Sequence, residues 1–204
     1  MEGAKERLIS SLISSGYLKT PEIIRAFKKV KREDFVPNDL RRFAYVDEPL
    51  PIGHGQTISQ PLTVAAMTEA LGPENGHKVL EIGAGSGYQA AILAEIAEKV
   101  ITIERIPYLA EMAKQNLRDY KNVFIICADG SKGWEQEAPY DRIIVTASAP
   151  SVPEPLLKQL KTGGRIVIPV GNEMWLIEKT AGGFIRNMLG YYAFVPLIGE
   201  HGHR

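Results

Sequence analysis

The sequence is poor in the residues that build disulfide frameworks and metal centres. Its only cysteine, Cys127, cannot form an internal disulfide. Because Cys127 stands in an apolar run with no histidine nearby in sequence, we expect a buried, small hydrophobic residue rather than a nucleophile. Of the four histidines, His54 and His77 stand apart in predicted loops, and His201 and His203 lie in a tail that we expect to be mobile. We therefore expect no metal site.

An excess of charge of either sign is also absent. Lysine plus arginine and aspartate plus glutamate both number 24, and there is no basic run, which disfavours a nucleic-acid partner. No apolar stretch approaches the roughly 20 residues of a membrane span, and the N-terminus lacks the apolar segment of a secretion signal. A chain of 204 residues is long enough for one domain with a full core. We expect a cytoplasmic monomer that binds neither nucleic acid nor membrane.

The sequence does contain one stretch, residues 79–88, around which the rest can be arranged. Val79, Leu80 and Ile82 have the apolar character of a buried strand, alternate glycines follow, and residues 89–97 are rich in helix formers. Strand, glycine turn and helix in this order are typical of the start of a nucleotide-binding βαβ unit. Glycine has no Cβ, so the chain can turn sharply and a ligand can approach the backbone closely.

The spacing of these glycines indicates which ligand the turn binds. A dinucleotide fingerprint, G-x-G-x-x-G/A, would need glycine or alanine where the sequence has Tyr88. The pattern is instead E-x-G-x-G-x-G, formed by Glu81, Gly83, Gly85 and Gly87, which is associated with S-adenosylmethionine-dependent methyltransferases. The Glu81 carboxylate can accept from the cofactor's ammonium directly or through water, and the loop N–H groups suit its carboxylate. Taken alone, the glycine pattern is as typical of a tight turn without a ligand as it is of a cofactor-binding loop.

Three further polar positions fall where a nucleoside or an acceptor would lie. Glu104 ends the second predicted strand, 21 positions after the first glycine, a spacing at which an acidic side chain reaches both ribose hydroxyls. Asp129, followed by Gly130, can accept from an adenine amino group, although an Asp-Gly turn explains the pair equally well. Ser59 stands just before a predicted helix with Pro61 at its first position, and from the pattern alone a helix N-cap is the favoured interpretation.

Hydrophobic periodicity divides the chain into alternating helices and strands. Residues 40–55 are irregular and predict a long loop or short extended pieces. Helices are predicted over residues 4–15, from Pro21 (with Thr20 as N-cap) towards Phe35, and over 62–71, 89–97, 107–120 and a segment that ends at Leu160, where Lys161–Gly164 stops it. Strands are predicted over residues 79–82, 100–104, 123–127, 140–146, 165–170, 174–179 and 190–196. This alternation predicts an α/β fold with a doubly wound, mostly parallel sheet, whose last two strands form a hairpin edge.

Several segments resemble the protein-L-isoaspartate (D-aspartate) O-methyltransferase family. The similarity spans nearly the whole chain, and its most specific part runs from Gly53 to Pro61; the glycine segment is shared by many methyltransferases. Other similar segments are residues 35–37, 49–52, 138–141, 163–171 and 194–197. The resemblance implies a Rossmann-like, seven-stranded methyltransferase fold with N-terminal helices. It also implies methyl transfer from S-adenosylmethionine to the α-carboxylate of L-isoaspartyl, and possibly D-aspartyl, residues in damaged proteins and peptides, leaving S-adenosylhomocysteine.

The resemblance also assigns roles by position. Ser59 matches the active-site serine, which is expected to bind the substrate as well. Val195, Pro196 and Leu197 match the strand whose backbone is expected to hold the substrate together with Ser59. The matching cofactor-binding positions are Thr57, Ile58, Gln60, Glu81, Gly83, Ala84, Gly85, Ser86, Gly87, Glu104, Arg105, Asp129 and Gly130. Two departures, Val64 where animal members have histidine and a short tail after Leu197, count against cofactor contacts by side chains there.

The reaction that the resemblance implies needs little acid–base catalysis. An α-carboxyl group has a reference pKa of about 3.3–3.7, so this nucleophile is already ionised at neutral pH and needs no general base. The protein must supply an in-line approach and remove water from both reactants. We expect Ser59 to donate a hydrogen bond that fixes one carboxylate oxygen, because a covalent nucleophile would need a base partner that the sequence does not show.

Two other functions stay open on the sequence. One is methylation of a different acceptor, a small molecule or an RNA base, and the other is a cofactor-binding module without catalysis. The neutral charge speaks against RNA, and the intact loop around Ser59 speaks against a module without catalysis. We expect a single domain over residues 1–204, with helices and the active-site loop in 1–60 and the cofactor-binding α/β core with its C-terminal edge strands in 61–204.

Overall fold

The computed structural model describes residues 2–204. Two helices open the chain, α1 (Glu2–Ser14) and α2 (Pro21–Lys29), and two 3-10 helices follow, Arg32–Phe35 and Asn38–Phe43. An antiparallel hairpin, β1 (Leu50–Gly53) and β2 (Gln56–Ile58), leads into α3 (Pro61–Leu71). The remaining elements are β3 (Lys78–Ile82), α4 (Tyr88–Ala94), β4 (Lys99–Glu104), α5 (Pro107–Asn116), β5 (Val123–Cys127), β6 (Tyr140–Val145), α6 (Glu154–Gln159), β7 (Leu160–Val170), β8 (Glu173–Thr180) and β9 (Gly183–Tyr191).

Seven strands form one sheet in the order β5-β4-β3-β6-β7-β8-β9. The strands from β5 to β7 in this order are parallel, and β8 and β9 are added antiparallel. The chain runs outward from β3 to β5 on one side and then returns to place β6 on the other side of β3. The predicted doubly wound, seven-stranded sheet with a hairpin edge is therefore confirmed. Its topological switch point lies between β3 and β6, and ligands bind at such a point in sheets of this kind.

The central strands are buried on both faces. Val79 and Leu80 of β3 are neighbours in sequence with no exposed surface, and they belong to the cores on opposite sides of the sheet. The core that contains Val79 also takes in Ile9 of α1 and Phe27 of α2. The N-terminal helices therefore share a core with the sheet. None of the helices in residues 2–204 is long and apolar enough to cross a membrane.

Two of the predicted strands were placed wrongly. Strand β7 begins at Leu160, directly after α6, because Leu160 pairs with Tyr140 and the Gly163-Gly164 run lies inside the strand instead of ending the helix. Strand β9 covers residues 183–191 and not 190–196, because the chain turns at residues 181–182 and pairs with β8 at once, starting at Gly183 opposite Thr180. The segment after Tyr191 leaves the sheet and passes over the site.

Cys127 and Thr20 also differ from expectation in their surroundings. The prediction of a buried Cys127 is wrong: its side chain is exposed, because β5 is an edge strand with little packed over its end. Thr20 is the N-cap residue of α2, with Pro21 at the first helical position, as predicted. Its hydroxyl does not cap the helix, however, and donates to Oε2 of Glu69 at 2.7 Å.

Candidate active site

A cavity lies at the carboxyl ends of β3, β4 and β6, with an empty volume of about 790 Å³ including its mouth. Most of the sequence-predicted site residues line it: Thr57, Ile58, Ser59, Glu81, Gly83, Ala84, Gly85, Ser86, Glu104, Arg105, Gly130, Val195, Pro196 and Leu197. Three predicted residues, Gln60, Gly87 and Asp129, do not line this cavity. The structure thus brings segments from residue 57 to residue 197 to one place.

The glycine loop has a backbone that only glycine adopts readily. Gly83, Gly85 and Gly87 have φ angles of +95°, +53° and +92°. A Cβ on Gly83 would lie 2.5 Å from the Thr146 hydroxyl oxygen, and one on Gly87 would lie 2.8 Å from Cδ1 of Leu117. Gly83 is therefore required for the cavity floor, whereas Gly87 is required where the loop packs on the end of α5.

Glu81, on β3, is an acid with no exposed surface in the wall of this cavity. Neither carboxylate oxygen has a hydrogen-bond partner among residues 2–204, and the same holds for the hydroxyl of Thr102, which lies opposite Glu81 on β4. Burial raises the pKa of Glu81 to about 8, and the nearby charge of Glu104 contributes to the increase. Without a partner this acid stays mostly protonated at neutral pH, and an ammonium group in the cavity would stabilise its ionised form.

Glu104, at the end of β4, is fixed by the backbone around it. Its Oε2 accepts from the N–H of Gly85 at 3.0 Å, and its Oε1 accepts from the N–H of Ile106 at 2.9 Å. Each carboxylate oxygen can accept a second hydrogen bond, so the pair can still bind two vicinal hydroxyls. The N–H groups of Gly83 and Ala84 both point to the carbonyl of Ile103, so fewer loop N–H groups are free for a ligand than expected.

Ser59 lies between β2 and α3, where the first cavity meets an open groove. This second cavity has an empty volume of about 1470 Å³, and Thr57, Ser59, Thr146 and Val195 line both. Tyr17, Tyr191, Tyr192 and Phe194 give the groove aromatic walls, and Gln60 lines it too. Gln60, not Ser59, is the N-cap residue of α3, so the N-cap interpretation of Ser59 is wrong.

The β1–β2 hairpin covers the glycine loop. Cδ1 of Ile52 lies 3.3 Å from the position of a Cβ on Gly85. At the hairpin tip, the ring of His54 packs on that of Tyr108 in α5, with centroids 4.8 Å apart. His54 has a φ of +53°, unusual for a residue other than glycine, which the tight turn requires. The hairpin thereby closes one side of the cavity.

The C-terminal tail closes another side, where hydrogen bonds attach it to the rest of the chain. Asp129 points to the tail rather than into the cavity: its Oδ2 accepts from the N–H of Glu200 at 2.8 Å. The N–H of His203 donates to the carbonyl of Leu197 at 2.7 Å, and the N–H of Leu197 donates to the backbone carbonyl of Ser148, also at 2.7 Å. Both backbone groups of Leu197 are thus occupied, which leaves the neighbouring residues to offer any backbone bond to a ligand.

Sequence reasoning missed several residues of the cavity wall. Thr146 and Ala147 follow β6, Gln89 lies on α4, and Ile198 belongs to the tail. Thr146 donates to the carbonyl of Gly83 at 2.8 Å and so supports the loop from a strand 63 residues away. A general rule, that polar residues at the carboxyl end of a central parallel strand face the ligand, could have found Thr146.

Comparison with known proteins identifies the family. The family model for protein-L-isoaspartate (D-aspartate) O-methyltransferase matches residues 3–202. The chain belongs to this family. A protein-L-isoaspartate O-methyltransferase of Methanopyrus kandleri is 57% identical, and the aligned region covers 98% of this chain and 93% of that protein. The family resemblance drawn from the sequence is confirmed.

Solved structures of the same family have the same fold. A protein-L-isoaspartate O-methyltransferase superposes with a TM-score of 0.88 at 30% identity, covering 97% of this chain and 67% of the other. A Plasmodium falciparum protein assigned to the same activity superposes with a TM-score of 0.83 at 26% identity, covering 94% and 97% of the two chains. That protein was crystallised in complex with S-adenosyl-L-homocysteine. The predicted methyltransferase fold is confirmed.

Proposed function

We propose that this chain transfers the methyl group of S-adenosylmethionine to the α-carboxylate of L-isoaspartyl residues in damaged proteins and peptides. The observation that carries the proposal is the position of Ser59 in the wall shared by the cavity at the strand ends and the groove beside it. A cavity at the carboxyl ends of parallel strands suits a small cofactor, and a groove with aromatic walls suits an extended peptide. Donor and acceptor would meet at this wall.

The residues of the first cavity fit the cofactor group by group. Glu81 offers a buried, unpartnered carboxylate for the ammonium, and Glu104 offers two fixed oxygens for the ribose hydroxyls. Gly130, which we assign to the adenine end, lines the cavity, and a Cβ there would be 2.6 Å from Cγ2 of Ile82, so glycine allows this wall to pack closely on β3. When bound, the cofactor supplies an electrophilic methyl group on a sulfonium.

The residues of the groove orient the acceptor. Ser59 would donate its hydroxyl proton in a hydrogen bond to one carboxylate oxygen, leaving the other oxygen free to attack. The hydroxyl makes no hydrogen bond of its own among residues 2–204, so it is available. No general base is required, because the acceptor is ionised at neutral pH. Val195, which lines both cavities, would also lie against the peptide, whereas Pro196 lines the cofactor cavity alone.

A labelled-methyl assay tests this function. Two synthetic peptides that differ only in an isoaspartyl or an aspartyl linkage are incubated with the protein and methyl-labelled cofactor. We expect base-labile label on the isoaspartyl peptide alone. Label on neither peptide, or equal label on both, would contradict the proposal.

We also propose that residues 1–204 act as one domain and as a cytoplasmic monomer. The shared core of α1, α2 and β3 supports the single domain. Light scattering coupled to gel filtration tests the monomer, for which we expect the 22.5 kDa mass of one chain. A mass of twice that value would contradict it.

A further inference from the structure

Arg32 is a completely buried arginine that holds a loop. It has no exposed surface, and its Nε donates to the carbonyl of Ala44 at 2.8 Å. Its Nη2 donates to the carbonyl of Glu48 at 3.3 Å, whereas Nη1 has no hydrogen-bond partner among the described residues. Burial lowers the pKa of Arg32 to about 10, so the group still carries its charge at neutral pH. A buried charge that bonds to two carbonyls fixes the backbone between them.

That loop holds the segment with Ser59 from both sides. Leu50, at the end of the loop, pairs with Ile58, the residue before Ser59. Asp47, inside the loop, accepts from the N–H of Leu62 with its Oδ1 at 2.8 Å, in the first turn of α3. Ser59 therefore lies between two attachments to residues 44–50, and Arg32 fixes these residues.

On its other side, Arg32 packs against Tyr88, a residue of the cavity wall. Its guanidinium carbon lies 5.2 Å from the centroid of the Tyr88 ring. Tyr88 is the first residue of α4, follows the glycine loop directly and lines the cavity. The rings of Phe27 and Phe35 pack edge-on against Tyr88, which keeps its ring in place. One side chain thus bridges the backbone that carries Ser59 and the residue that ends the glycine loop.

We propose that Arg32 is a positioning residue, which sets Ser59 at the correct distance from the cofactor by connecting the 44–50 loop to Tyr88. The inference rests on the proposed function of the two cavities. Arg32 does not touch either reactant. Its loss should affect the rate of methyl transfer more than the binding of the cofactor, because Glu81 and Glu104 do not depend on it.

The first test compares Arg32→Lys with Arg42→Lys, an exposed arginine that also lies over an aromatic ring, 4.7 Å from the centroid of Phe43. Lysine keeps the charge but cannot reach two carbonyls while resting on the ring. We expect Arg32→Lys to lower kcat for the isoaspartyl peptide at least about tenfold, with affinity for S-adenosylhomocysteine within about threefold of the wild type. Arg42→Lys should change neither quantity. Unchanged kcat in a folded Arg32→Lys variant, or equal losses of affinity and rate, would overturn the inference.

A second pair of variants keeps the inference testable if Arg32→Lys does not fold. Asp47 is only partly buried, so Asp47→Ala should fold, lower kcat in the same way and expose the Leu62 N–H. Asp47→Asn keeps an acceptor and should restore most of the rate. Amide hydrogen exchange of residues 57–64 should increase in Arg32→Lys and Asp47→Ala and stay unchanged in Arg42→Lys. Unchanged exchange and rate in Asp47→Ala would refute the role of the loop. Inactivity of the wild type on the isoaspartyl peptide would instead refute the proposed function itself.

Discussion

The Oδ2 atom of Asp129 accepts a hydrogen bond from the backbone N–H of Glu200 at 2.8 Å. Its Oδ1 atom accepts from both the N–H and the hydroxyl of Ser131, and that hydroxyl oxygen accepts from the N–H of His201. Ile198, which lines the cofactor cavity, immediately precedes this attached segment. Asp129 therefore holds the tail beside the cavity, and the adenine contact expected of it stays a prediction, because its carboxylate can accept a further hydrogen bond.

Replacing Asp129 should loosen the tail. We expect Asp129→Ala to speed dissociation of S-adenosylhomocysteine and to lower stability by about 1–3 kcal/mol, since three hydrogen bonds to a charged acceptor are lost. Stopped-flow displacement and thermal unfolding measure the two effects. Asp39→Ala, an exposed aspartate on the 3-10 helix 38–43, serves as control. Dissociation at the wild-type rate would show that the tail does not retain the cofactor.

The buried acid Glu81 should make cofactor binding depend on pH. Its pKa of about 8 in the free protein means that it is mostly protonated at pH 7, whereas an ammonium partner requires the ionised form. Affinity for S-adenosylhomocysteine should therefore increase as pH rises from 6 to 8, by up to about tenfold per unit, and level off above the pKa. Calorimetry in buffers of different ionisation enthalpy should detect release of close to one proton at pH 7.

Glu81→Gln isolates this effect. The amide cannot titrate, so proton release and the steep pH dependence should both disappear, and affinity at pH 8 should fall. Glu98→Gln, on the surface, is the matched control. A pH-independent wild-type affinity between pH 6 and 8 would contradict the pairing of Glu81 with the ammonium.

Ser59→Ala should separate catalysis from cofactor binding. One charge-assisted hydrogen bond to the acceptor is lost, so we expect the activation free energy to rise by about 1–3 kcal/mol. Turnover should then fall roughly 5- to 150-fold, while the fold and the affinity for the cofactor stay unchanged. Steady-state kinetics with the isoaspartyl peptide measure this. Ser10→Ala, on the exposed side of α1, should behave as the wild type. Unaltered turnover in Ser59→Ala would remove Ser59 from the site.

Glu104→Ala should weaken the cofactor through its ribose. Loss of a charged acceptor predicts an affinity about 10- to 100-fold lower by calorimetry. An S-adenosylhomocysteine analogue without ribose hydroxyls should bind weakly to the wild type and show little further loss with Glu104→Ala. Full affinity of Glu104→Ala for the unmodified ligand would contradict the ribose role.

The central part of the fold could be predicted because its signals are local. Strands β3 to β6 are short apolar runs bounded by turn residues, and Glu81 and Glu104 stand at fixed places relative to them. The C-terminal third was predicted less well because the bounds of its strands depend on which distant residues pair with them. Leu160 is part of a strand since Tyr140 lies beside it, and nothing in the Lys161–Gly164 run shows this.

In the site, too, residues with local signals could be predicted and residues whose role depends on distant partners could not. The positions at the ends of β3, β4 and β5 were recognisable because each combines a strand end with glycine or an acid, whereas Thr57, Ile58 and Gln60 were assigned through the family resemblance alone. The bonds of Asp129 to Ser131 are local and fit the turn that the sequence also allowed, whereas its bond to Glu200 joins residues far apart in the chain and could not be predicted. Cys127 was misjudged because burial at an edge strand depends on what packs outside it, which periodicity does not report.

The wall that the two cavities share has a stereochemical consequence. With the sulfonium on one side of Thr57 and Ser59 and the carboxylate on the other, the entering oxygen and the departing sulfur lie on opposite faces of the methyl carbon. A methyl group made chiral with hydrogen isotopes should therefore be found with inverted configuration in the isoaspartyl methyl ester, or in the methanol that this ester releases.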